Sequence, residues 1–225
     1  MIAAGMLWLS GAANAADLPS VIEALKDEPA ESGVLGKRLT PLFPGLGKAL
    51  QSGAEILPEP YKSEEFFIWD AMEWAKGQPP ILTVACAAYS QKLVEALYEN
   101  PMLGLQENGI PTYAGWLDRP MQAGYHKRLS CTFSIGPAPG AFFDAEQSVR
   151  AMQKLGEFSN FSAGQDPSQM LQQGKPIWVA SEGVLANDTW FQLLFRNSEE
   201  VQELIIHMEY PEPSRGQPSG SGYSM

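Results

Sequence analysis

The sequence predicts an α+β fold: a single domain with a mixed or antiparallel sheet packed by two or three helices, preceded by an irregular N-terminal arm. Three observations carry this reading. Residues 128–135 alternate Leu129, Cys131, Phe133 and Ile135 against polar neighbours, the period of a half-buried strand. Residues 201–210 repeat the pattern, with Leu204, Ile206, Met208 and Tyr210 set against Glu203, Ile205, His207 and Glu209. Between these two runs, Asp144 precedes a stretch in which Val149, Met152 and Leu155 share one helical face, with Gln147 at the capping-box position.

Residues 1–15 carry no charged side chain and centre on Met6, Leu7, Trp8 and Leu9. The stretch is shorter than the roughly 20 apolar residues needed to span a bilayer, and it ends in Ala13-Asn14-Ala15, a small-x-small pattern that signal peptidases accept. It reads as a signal peptide despite lacking the positive charge that usually precedes the apolar run. Cleavage would leave a chain with no transmembrane segment in the periplasm or outside the cell.

The expected organisation is therefore a signal peptide at 1–15, an irregular arm at 16–60, the α+β domain at 61–210 and a disordered tail at 211–225. Within the arm, residues 18–26 suit a short helix. Pro41, Pro44, Pro58 and Pro60, with Gly33, Gly36, Gly45, Gly47 and Gly53, then predict mostly irregular chain with one helical turn near 47–51. The tail is rich in Pro, Gly and Ser and lacks the apolar content to order itself.

In the domain, Ser63 before Glu64 and Glu65 reads as an N-cap with acidic first-turn residues. The following Phe66, Phe67, Trp69, Met72 and Trp74 predict a helix ending near Gly77. Residues 81–89 suit either one long buried helix starting at Pro80, or a buried strand at 81–87 followed by a helix capped by Ser90. The second reading is favoured, because a turn at Asn108-Gly109-Ile110-Pro111 and a strand at 112–117 would complete a strand-helix-strand unit. Gly136-Pro137-Ala138-Pro139-Gly140 ends the strand at 128–135. Residues 164–174 are polar, with a turn at Asp166-Pro167, and residues 175–181 and 189–196 read as strands. The segment 189–196 forms an antiparallel hairpin with 201–210.

The formal net charge of -11 repels phosphate backbones and anionic membranes, so nucleic acid is not an expected partner. Cys86 and Cys131 are the only cysteines, and in an exported chain they predict one structural disulfide. Without a C-x-x-C pair, a thioredoxin-like redox role lacks its motif. Neither a G-x-S-x-G elbow in the folded region nor a phosphate-binding G-x-x-x-x-G-K-[ST] is present.

His126 and His207 are the only histidines, too few for the familiar zinc patterns. His207-Met208 and the nine methionines invite a copper reading, against which a solvated strand histidine is the simpler expectation. No cofactor or metal is expected. The candidate binding residues are Trp116, Asp118 and Arg119, at the end of the predicted strand 112–117, and His126, in the dense basic cluster with Lys127 and Arg128. Their structural alternatives are a turn with a local salt bridge and a charged turn before a strand.

Asn160-Phe161-Ser162 and Asn187-Asp188-Thr189 match the N-glycosylation pattern, which matters only in a host that glycosylates. Trp69, Trp74, Trp116, Trp178 and Trp190 belong mostly to the core by position, although tryptophan also leads binding hot spots. Together these features predict an exported, non-catalytic binding or accessory protein of the cell envelope with a protein partner. An accessory subunit of a secretion or conjugation apparatus and an inhibitor of a secreted toxin both fit. The alternative is an exported enzyme, a hydrolase using Asp118 or His126.

Overall fold

A computed structural model describes residues 16–43, 50–52, 66–74, 80–99, 120–135, 143–162, 164–198 and 201–213. The expected signal peptide, the turn and strand at 108–117, the break at 136–140 and residues 214–225 of the expected tail at 211–225 lie outside these residues, while Pro211 ends the last strand and Glu212 N donates to Gly124 O. So do the candidate side chains Trp116, Asp118 and Arg119.

The described chain is an antiparallel sheet with helices, an α+β arrangement. Its strands are β1 (Leu50–Ser52), β2 (Phe66–Trp74), β3 (Pro80–Ser90), β4 (Tyr125–Ile135), β5 (Glu157–Asn160), β6 (Ile177–Val184), β7 (Trp190–Asn197) and β8 (Gln202–Pro211). They lie side by side in the order β1-β2-β3-β4-β8-β7-β6-β5, and every neighbouring pair is antiparallel. Two meanders, β1 to β4 and β5 to β8, thus meet where β4 pairs β8.

The described helices are α1 (Leu18–Leu25), α2 (Ser32–Leu39), α3 (Gln91–Glu99), α4 (Ala145–Leu155) and α5 (Pro167–Gln172). Local chemistry explains where several begin. Asp17, Asp144 and Asp166 cap α1, α4 and α5, each side chain accepting from a backbone N–H in the first turn, at Ser20, Gln147 and Ser168 respectively. Ser90 Oγ accepts from Leu93 N at the start of α3, as the strand-then-helix reading of 81–99 expects.

One face of the sheet, here the inner face, meets α1, α2, α4 and α5. The alternating residues Leu82, Val84 and Cys86 of β3, Leu129, Cys131 and Phe133 of β4, and Leu204, Ile206 and Met208 of β8 are buried there. Phe43, Phe133 and Phe143 pack as an aromatic trio with ring centroids 5.5 to 6.1 Å apart. The Tyr210 hydroxyl donates to Leu25 O at 2.6 Å, tying α1 to β8 in the buried interior.

Four sequence expectations change. Residues 66–74 form a strand: aromatic residues suit a pleated surface, and β3 offers this segment partners along its length, from Phe66 opposite Tyr89 to Trp74 opposite Pro80. Residues 32–39, expected to be irregular, form α2, whose Leu35 and Leu39 are buried in the core. Residues 50–52 pair with β2 as a strand rather than closing a helical turn. Asp166-Pro167 opens a short helix, with the aspartate as N-cap and the proline in the first turn.

The junction of α4 and β5 depends on a glycine. A Cβ at Gly156 would lie 2.1 Å from Glu182 O, so only a residue without a side chain lets β5 close against β6. That contact sets the outermost strand of the sheet.

Candidate functional site

The outer face of the sheet holds two kinds of chemistry, one sealed and one open. The sealed part lies on β4 and β8. Arg128 stands opposite Glu209, and Ser130 stands opposite His207. Arg128 Nε donates to Glu209 Oε1 at 3.0 Å, and its Nη2 donates both to Glu209 Oε1 and to Pro120 O, the latter at 3.1 Å. Glu209 Oε2 accepts from Gln122 N at 3.2 Å. Ser130 Oγ and His207 Nδ1 are 2.9 Å apart. On the same face, α3 contacts β3 and β4, with Leu93 and Val94 buried outside the inner-face cluster.

His207 is therefore not the solvated strand histidine of the sequence reading. The alternation was correct, but the second face is covered too, and His207, Glu209 and Arg128 are all buried. A serine beside a histidine invites a nucleophile reading, yet both side chains are buried. His207 and Met208 point to opposite faces, with Met208 buried in the inner core. They do not form a joint ligand pair.

His126 lies on β4 beside a register shift between Tyr125 and Lys127. Its Nε2 is 3.0 Å from Glu28 Oε2, and Lys127 Nζ is 2.6 Å from Glu28 Oε1. The acidic group that meets this basic cluster is thus the chain's own, in the link between α1 and α2. Lys26 O, in the same link, accepts from Asn187 Nδ2 at 2.9 Å and from Thr189 Oγ1 at 3.0 Å. These contacts dock the N-terminal helices onto both halves of the sheet.

The two glycosylation-pattern asparagines are likewise engaged. Asn160 Oδ1 accepts from Ser162 N and Asn187 Oδ1 accepts from Thr189 N, while each amide nitrogen donates to a backbone carbonyl.

The open part of the outer face lies on β6. Ile177 and Val179 point into the core, so Trp178 between them points outward and is 54% exposed. Phe161, 57% exposed, lies against it with ring centroids 5.6 Å apart. Their backbones are firmly held. Phe161 N donates to Trp178 O at 2.9 Å, Trp178 N donates to Ser162 Oγ at 2.6 Å, and Ser162 Oγ donates to Trp178 O at 3.1 Å.

Along the same face, Glu182 stands opposite Glu157 of β5, both exposed, and Val184 is exposed beyond them. An aromatic pair held open by backbone hydrogen bonds presents apolar area at little entropic cost, which is what a binding hot spot requires. Sequence reasoning placed Trp178 among core candidates. The signal that singles it out is its phase, opposite to that of Ile177 and Val179.

A cleft of about 680 Å³ lies between the start of α1 and the length of α4, lined by Asp17, Asp144, Arg150 and Lys154 among others. Both helix starts are capped by their own aspartates, and Arg150 is engaged by Glu146 one turn before it. No helix among the described residues is long and apolar enough to cross a membrane. Comparison with family models, curated proteins and solved structures finds no match to this chain.

Proposed function

We propose that this is an exported, non-catalytic binding protein of the cell envelope, working in the periplasm or outside the cell, and that it engages a protein partner through the outer face of β5 and β6. The observation that carries the proposal is the exposed, rigidly backed pair of Phe161 and Trp178. Aromatic side chains anchored in this way are the residues that dominate protein interfaces. Export is supported by the Ala13-Asn14-Ala15 pattern and by Cys86 and Cys131, whose sulfurs lie at disulfide distance, 2.12 Å, as an oxidising compartment favours. An accessory subunit of a secretion or conjugation apparatus and an inhibitor of a secreted toxin are both proteins of this kind.

The test expresses the chain with its own N-terminus, separates periplasm from cytoplasm, and compares partner recovery by the wild type and Trp178→Ala. The expected result is a periplasmic species beginning at Ala16 by mass spectrometry, with a stoichiometric partner recovered by the wild type only. An intact N-terminus in the cytoplasm overturns export, and recovery indifferent to Trp178→Ala overturns this face as the binding surface.

A further inference from the structure

Resting on the binding reading, we infer that the partner contributes an extended basic segment. It lines up along the outer edge of β5, with one Lys or Arg at Glu157 and Glu182 and a second, four residues away, over the rings of Phe161 and Trp178. β5 is the last strand of the sheet, and its far side has no strand partner among the described residues. Such an edge offers backbone donors and acceptors to an added strand.

The side chains beside that edge select the occupant. Glu157 and Glu182 face each other directly across the ladder, where like charges are destabilising. Both are exposed, and neither has a salt-bridge partner among the described residues. A cation from a partner would relieve the repulsion and gain charge-assisted hydrogen bonds.

Four residues along β6, a distance of about 13 Å at the usual strand rise, Trp178 and Phe161 offer ring faces that attract an ammonium or guanidinium group. Residues four apart in an extended chain fall on one face, so a single strand reaches both subsites. The chain's net charge of -11 steers a basic partner inward, and it opposes pairing of this edge with a second copy or with a nucleic acid.

The test titrates the full chain with the peptide Thr-Arg-Thr-Val-Thr-Arg-Thr and follows backbone amide shifts. The control peptides carry Glu in place of Arg, or space the arginines five apart so that they fall on opposite faces. The arginine peptide is expected to shift the β5 amides and to bind at least tenfold more weakly to the Glu157→Gln/Glu182→Gln double variant and to Trp178→Ala. Its affinity should also fall as salt rises.

Because the substituted side chains are exposed, unchanged thermal melts confirm that these variants fold. No shift in β5, equal binding of the glutamate peptide, or undiminished binding by the double glutamine variant overturns the inference. A cell-envelope partner lost by Trp178→Ala but retained by the double glutamine variant overturns the inference while leaving the binding reading intact.

Discussion

Arg128 and Glu209 face each other across β4 and β8, joined through both Nε and Nη2 of the guanidinium, with only 2% and 0% of their side chains exposed. Each also reaches the segment 120–122: Arg128 donates to Pro120 O, and Glu209 accepts from Gln122 N. The pair therefore fastens the segment leading into β4 over the outer face of the sheet.

Breaking this pair from one side leaves a buried charge without its counter-ion. Arg128→Met should cost about 3–5 kcal/mol in urea denaturation. Arg128→Met combined with Glu209→Leu should cost less than the single change, since no charge then remains in the apolar surroundings. Equal losses in the single and double variants would show that packing, not charge pairing, holds this region.

The two cysteines occupy facing positions on β3 and β4 at a sequence separation of 45. A bridge closing a loop of that length restricts the unfolded chain by about 4 kcal/mol in the loop-entropy treatment. Cys86→Ala/Cys131→Ala should lower stability by roughly that amount, and reductant should destabilise the wild type but not the variant. A wild type insensitive to reductant at its denaturation midpoint would contradict a stabilising bridge.

Tyr210 donates its hydroxyl to Leu25 O deep in the interior, and burial pushes its pKa well above the ordinary tyrosine value. The folded state thus holds this proton more tightly than the unfolded chain. The stabilisation is complete below the unfolded pKa of about 10 and falls as pH rises above it, because only the unfolded state can ionise readily. Tyr210→Phe should lose about 1–3 kcal/mol at neutral pH and show a smaller further loss between pH 9 and 11 than the wild type. Parallel alkaline losses in the two proteins would refute the assignment.

Glu28 joins His126 and Lys127 from the link between α1 and α2. Glu28→Ala should loosen the N-terminal helices while leaving the sheet in place. The expected result is a loss of about 1–3 kcal/mol, with faster hydrogen exchange in α1 than in β7. Uniformly faster exchange throughout the chain would mean that the helices and the sheet open together.

Several elements were legible because their cause is local. Asp144 and Ser90 cap helices by bonding to residues three positions ahead, and the two-residue period of 128–135 and 201–210 marks a strand whatever lies beside it. Residues 66–74 were not legible, because their aromatic content suits a helix face or a pleated strand, and only pairing with β3 decides between them. Of the candidate binding residues, His126 belongs to an internal contact with Glu28. The aromatic pair at Phe161 and Trp178 comes together only when the chain folds back after β5 and pairs β5 with β6.

By itself the sequence determined the acidic character of the chain, the alternating strands, the caps at Asp144 and Ser90 and the cysteine pair as a candidate bridge. Tertiary structure alone decided which strands are neighbours, that a second layer seals Arg128, His207 and Glu209, and that Trp178 is left in the open. The physical reason is one of range. Caps and side-chain periodicity act over a few residues, whereas burial depends on what packs over a side chain, and here Arg128 and Glu209, 81 residues apart in sequence, meet only because β4 pairs β8.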